Sequence, residues 1–155
     1  MAARAIVGIA LGMLFLPVIL LFMDGALWFW LTSITTNFNF FLNFYVTFGS
    51  YAMTVPLIDL FTTDTLPMWL AAYALPIICW AIIGMWSGAV ERSAGRGIGV
   101  AVGIWLGWLI VELIVMAIGG GIAFFLDALI AQWFAVVIAI IFAAIFGAIT
   151  KSEEF

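Results

Sequence analysis

"VERSAGRGIGVAVGIWLGWLIVELIV", residues 90–115, contains two arginines, glycine at every fourth position from 95 to 107, and two carboxylates, Glu91 beside the first arginine and Glu112 in an otherwise apolar run. The side of a membrane on which Arg92 and Arg96 sit fixes how often the chain can cross it. The glycines and the acid then say how the crossing segments can touch. The surrounding composition supports the membrane reading: of 155 residues, 68% are hydrophobic and only 8% charged, and mean hydropathy is +1.38. A soluble domain carries about 25% charged residues, so this chain reads as a single all-α integral membrane domain over residues 1–155.

Four apolar runs, at about 5–31, 67–90, 97–122 and 125–149, are long enough to span about 30 Å of hydrocarbon, which takes about 20 helical residues. Barrel strands would instead appear as short alternating segments. The first run follows Arg4 and is too long for the apolar region of a secretory signal, so it is expected to be retained as a span. With four spans, Arg4, Arg92, Arg96 and Lys151 all fall on one side. Basic residues accumulate in cytoplasmic loops, so these topology anchors predict a multi-pass protein of the cell membrane with both termini cytoplasmic. The opposite side carries Asp24, Asp59, Asp64 and Asp127 and no cation. Such an acidic face argues against nucleic acid as a partner.

The inner connection, 91–96, is short; the outer one, 32–66, is long and rich in phenylalanine. A fifth span there would place Arg92 and Arg96 outside, against the charge rule. Within it Thr35, Asn39, Asn43, Thr47 and Tyr51 recur every four residues, while Phe38, Phe40, Leu42 and Phe44 also alternate as in a strand. An isolated strand in hydrocarbon leaves backbone groups unpaired. The expectation is therefore an outer interfacial or re-entrant helix.

Two short matches suggest internal repetition. "GIALGM" at 8–13 resembles "GVAVGI" at 99–104, an offset of 91; "GAVERS" at 88–93 resembles "GAITKS" at 147–152, an offset of 59. The long outer loop accounts for the difference between the offsets. The four spans then form two up-down hairpins related as a parallel tandem repeat.

Helices in lipid lack a hydrophobic force between them, so small residues that let backbones approach mark their contacts. Gly95, Gly99, Gly103 and Gly107 form one glycine edge; Gly8 with Gly12 and Gly84 with Gly88 form shorter ones. Trp105, Trp108, Leu109, Glu112 and Met116 lie on the other face of the third span. That helix is expected to have two protein neighbours, one on its glycine side and one on its acid side.

Counting about 1.5 Å per residue, Glu112 lies in the outer third of the bilayer. Tyr73, Gln132 and Asp24 fall near that depth in the other spans, and Pro76 frees the Ala72 carbonyl from its helical bond. The acid has no lysine, arginine or histidine near it in sequence, and a lone buried carboxyl group is costly unless hydrogen-bonded. Two readings follow: interhelical fastening, or a proton or cation site formed by Glu112, Gln132, Tyr73 and Asp24.

An intramembrane acid together with a glycine ladder resembles, in outline, the four-helix proteolipid subunits of rotary ATPases. In that family the ladder and the carboxylate sit on different helices of a hairpin; here Gly95–Gly107 and Glu112 share one span, and the aromatic loop has no counterpart. The residues therefore assign the chain to no family.

Residue types narrow the function further. Cys79 is the only cysteine and histidine is absent, which removes intrachain disulfides, thiolate clusters and the usual haem ligand. No metal or cofactor is expected. The spans hold no Ser/His, paired-Asp or metal-ligand constellation, so an enzyme is not expected. The leading expectation is a structural or accessory subunit of a larger or self-associated membrane complex, whose partners are the lipid bilayer and other membrane subunits or copies of itself. The alternative is a small channel or carrier that binds a proton or cation at Glu112.

Overall fold

A computed structural model describes residues 2–23, 53–55, 66–118 and 125–151. These residues build four helices, α1 (Ala2–Met23), α2 (Leu66–Glu91), α3 (Ala94–Ile118) and α4 (Phe125–Lys151). Among the described residues, three stretches are long and apolar enough to cross a membrane: Ala72–Glu91, Ala94–Ile118 and Phe125–Lys151. Over the described residues the protein is thus a four-helix bundle of multi-pass membrane type. The expected first span is helical through Met23; residues 24–31, with Asp24, lie outside the described residues, as do 32–52 and 56–65 of the outer connection.

The turn between α2 and α3 is tighter than the glycines and arginines of 91–96 suggest. Helix α2 runs through Glu91, and Arg92 takes a left-handed conformation (φ 47°), the geometry that ends many helices. Ser93 then sits at the N-cap position, its carbonyl accepting the Gly97 N–H at 2.8 Å. Only Arg92 and Ser93 separate the helices. Gly97 can be helical here because it faces Gly88: a Cβ on Gly97 would lie 2.7 Å from the Gly88 Cα.

Side-by-side contacts fix the directions of the helices. Gly8 meets Val100, Gly12 meets Ile104, and Ile9 and Met13 cover Gly103 and Gly107, so α1 and α3 run parallel. Gly84 meets Ala139 and Gly88 meets Ala143 and Gly147, so α2 and α4 also run parallel. Arg4 reaches the Val90 carbonyl, and Phe15 meets Trp86 edge to face at 6.5 Å, so α1 and α2 run opposite ways. Arg4, Arg92, Arg96 and Lys151 therefore gather at one end of the bundle, which we call the basic end.

The core follows from small residues. Ala131, Ala135, Ala139, Ala143 and Gly147 recur every four positions along α4, and Ala135, Ala139, Ala143 and Gly147 are buried. The α2 glycines oppose this stripe at backbone distance, which makes α2 against α4 the closest packing in the bundle. Trp80, Ile83, Ile104 and Trp108 fill the space around it, fully buried. The outward faces carry exposed Ile6, Leu14, Ile110, Ile114, Ile130 and Ile141, the pattern of helices solvated by lipid rather than water.

Candidate functional site

Two buried polar side chains away from the basic end meet, one on α3 and one on α4. Glu112 and Gln132 are 4% and 3% exposed, and the Gln132 Nε2 donates to Glu112 Oε2 at 2.7 Å. Glu112 lies six residues before the end of α3 and Gln132 seven after the start of α4, so both sit about 9–10 Å from the helix ends opposite the basic end. Trp105, two turns before Glu112 on the same face, donates its indole N–H to the Gln132 carbonyl at 3.3 Å. Gln132 is thus held by α3 through both its side chain and its backbone.

A short piece of the outer connection reaches the same level. Met53 and Val55 are fully buried, and the Val55 N–H donates to the Ala131 carbonyl at 3.2 Å. Val55 precedes Pro56, and a residue before proline favours extended backbone. Its N–H is thereby free of any helical ladder and available to α4.

The structure brings together two of the four residues named for a proton or cation site. Tyr73 is half-buried on α2 and packs against the core, seven residues from the start of that helix and hence at a similar depth. Asp24 lies outside the described residues. Gln132 Oε1 is buried and has no hydrogen-bond partner among the described residues. Chemically, the pair offers one interhelical hydrogen bond and a spare carbonyl oxygen that can accept from a donor or a cation. No group of three His, Cys, Asp or Glu side chains that could hold a metal ion occurs among the described residues.

The glycine edge of α3 divides. A Cβ on Gly103 would strike Ile9, and one on Gly107 would strike Met13, so these two serve the contact with α1. A Cβ on Gly95 or Gly99 would meet no atom within 4 Å. Gly8, Gly12, Gly84 and Gly88 all face helices of this chain.

At the basic end, Arg4 donates to the Val90 carbonyl and lies 3.7 Å from the buried Glu91 carboxylate. The sequence pattern marks Arg4 only as a topology anchor and gives Glu91 no role. It also places Trp105 on the acid's face without a partner, and it singles out neither Val55 nor the α4 stripe. Two signals point to these contacts: the seven-residue spacing of Trp105 and Glu112, and the fourfold recurrence of alanine in α4. Compared with known proteins, the chain matches no family model, no curated protein and no solved structure.

Proposed function

We propose that this protein is a structural or accessory subunit of a larger or self-associated complex in the cell membrane, crossing it four times with both termini cytoplasmic. The observation that carries this reading is the open half of the α3 glycine edge. Eight of the described glycines, at 8, 12, 84, 88, 97, 103, 107 and 147, are accounted for by close contacts within the chain; Gly95 and Gly99 are not. A glycine within a helix costs about 1 kcal/mol relative to alanine, and close approach of another backbone is what offsets that cost in membranes. Gly99, a full turn inside α3, is the more telling of the two. The partner is another membrane subunit or a second copy of this chain.

The parallel pairing of α1 with α3 and of α2 with α4 supports the reading as two repeated hairpins. Gly88 and Gly147, which open the two matching hexapeptides, are in contact across α2 and α4, and Gly8 faces Val100 at nearly the matching offset. Equivalent helices then meet at equal depth. The burial of Met53 and Val55 supports an outer connection that dips against the bundle.

Purification in mild detergent, followed by sizing and identification of what co-purifies, tests the proposal. Gly99→Leu is expected to leave the isolated bundle folded, since the space is open, and to release the partner or dissociate the oligomer. A wild-type protein that elutes as a lone monomer from native membranes rejects the reading.

A second reading, a small channel or carrier, is favoured by one observation: the unpartnered Gln132 Oε1 beside the Glu112 carboxyl group. Its site would be Glu112 and Gln132, with Tyr73 at similar depth; Asp24, the fourth residue named for it, lies outside the described residues. Proton or cation flux into reconstituted vesicles that is unchanged by Glu112→Gln removes it.

A further inference from the structure

Beyond assembly, the geometry points to a binding site for an anionic phospholipid on the seam between α1 and α2, with its phosphate at Arg4 and one acyl chain in an apolar groove below. Phe15, Ile19, Ile82, Ile83 and Trp86 line this groove, which encloses about 220 Å³. Its walls carry no charged or hydrogen-bonding group except the Trp86 indole N–H, so water gains little there and hydrocarbon is the matching occupant.

Depth and charge select the lipid. Trp86 lies five residues before the end of α2 and Ile19 fifteen residues beyond Arg4, so the groove begins about 7 Å from the basic end and reaches about 22 Å from it. It thus opens in the leaflet at the basic end, whose hydrocarbon is about 15 Å deep, half of the bilayer core, and closes near the bilayer middle. A chain descending from a headgroup at this end therefore passes through the groove. Nearer the basic end on the same pair of helices, the Arg4 side chain is 62% exposed even while it contacts Val90 and Glu91. Its guanidinium has five N–H donors, so some remain for a phosphate, and it leans over the same α1–α2 seam that the groove follows. Arg92 and Arg96 are exposed at the same end and add positive potential. Glu91 offsets one of the four cations at this end, Arg4, Arg92, Arg96 and Lys151, and leaves it net positive among the described residues; zwitterionic lipids satisfy the groove but not this charge, whereas an anionic headgroup satisfies both.

The test uses the full-length protein reconstituted in phosphatidylcholine vesicles doped with a small fraction of lipid carrying a spin label on its acyl chain. The label is placed either on phosphatidylglycerol or on phosphatidylcholine. Subtracting the fluorescence of Trp86→Phe from that of wild type isolates the indole that lines the groove. The Trp86 component is expected to be quenched at about fivefold lower mole fraction of labelled phosphatidylglycerol, the factor that one surface cation contributes at a membrane. Arg4→Gln should remove most of the preference while retaining the quenching, and Arg4→Lys should restore it. Equal quenching by both lipids in wild type overturns the headgroup assignment. A Trp86 component that neither lipid quenches overturns the site altogether. Thermal sizing of each variant confirms that it is folded, and none of these outcomes depends on whether the protein has a protein partner.

Discussion

Replacing single glycines by alanine should produce an order of stability that only this packing predicts. At Gly88 the added methyl would meet the Ala143 carbonyl oxygen and lie 2.7 Å from the Gly147 N; at Gly84 it would meet the Ala139 carbonyl oxygen and lie 2.9 Å from the Phe142 Cβ. Most of these obstacles are backbone atoms, which can move only if α2 and α4 separate along a shared length. Overpacking costs about 1–3 kcal/mol, and rigid obstacles place these sites in the upper part of that range. The gain of about 1 kcal/mol from glycine to alanine in a helix offsets part of it, leaving Gly84→Ala and Gly88→Ala destabilised by about 1–2 kcal/mol.

At Gly107 the obstacle is the Met13 Sδ, near the far end of a flexible side chain. Rotation of Met13 relieves it, so overpacking and helix propensity should nearly cancel. At Gly99 nothing lies within 4 Å, and alanine should stabilise the isolated bundle by up to about 1 kcal/mol. Thermal unfolding in detergent, followed by the loss of the monodisperse peak on sizing, reads the series. With about 2–4 °C per kcal/mol for a chain of this size, Gly88→Ala and Gly99→Ala should differ by roughly 4–12 °C. A Gly88→Ala protein that melts at or above Gly99→Ala would refute the close α2–α4 packing.

Gln132→Leu strands the Glu112 carboxyl group inside the bundle and should lower stability by about 1–3 kcal/mol, while Glu112→Leu with Gln132→Leu should recover most of that loss; thermal melts of the three variants test whether the two changes are coupled. Arg92→Gly relieves a left-handed backbone on a residue with a Cβ and should raise the melting temperature by about 2–4 °C, equivalent to about 1 kcal/mol, in the same assay. Cys79 is fully buried, so a permeant maleimide should leave the native protein unlabelled and react after denaturation in SDS. With that background silent, cysteines placed at Arg4, Arg92 and Lys151 should all resist an impermeant maleimide in intact cells and react in inverted vesicles; labelling at residue 92 from outside would overturn the orientation.

The helices are legible in the sequence because continuous apolar runs of span length leave few alternatives, and three of them coincide with α2, α3 and α4 to within a few residues. Boundaries differ where local and tertiary signals conflict. Ala94, Gly95 and Arg96 fall in the expected inner connection, yet α3 already starts at Ala94 behind the Ser93 cap. Depth counting places Glu112 and Gln132 at one level, since rise along a helix is nearly constant. It does not say which of the four polar residues bond, because that depends on helix rotation, and weakly amphipathic membrane helices encode rotation in small residues rather than in polarity. The alanine stripe of α4 holds that information. The partition of the α3 edge is less readable, because Gly95 and Gly99 look identical in sequence to Gly103 and Gly107, yet the first pair meets empty space and the second meets α1.

The two ends of the bundle are therefore fastened by different physics. Toward the basic end, Gly84, Gly88, Gly97 and Gly147 bring backbones together, and Ser87 satisfies its hydroxyl on its own helix by donating to the Ile83 carbonyl at 2.7 Å. Dispersion over many close atoms supplies the attraction there. Toward the other end the approach is made by bulkier residues and by hydrogen bonds: Gln132 to Glu112, Trp105 to the Gln132 carbonyl, and Val55 to the Ala131 carbonyl. Intramembrane hydrogen bonds are worth about 0.6–2 kcal/mol each, so the three together contribute about 2–6 kcal/mol. Such contacts can be lost one at a time, whereas the glycine seam yields only when two helices part. Loosening of this bundle is thus expected to begin at the end that holds Glu112, and any partner that docks at Gly99 meets the end that holds its shape.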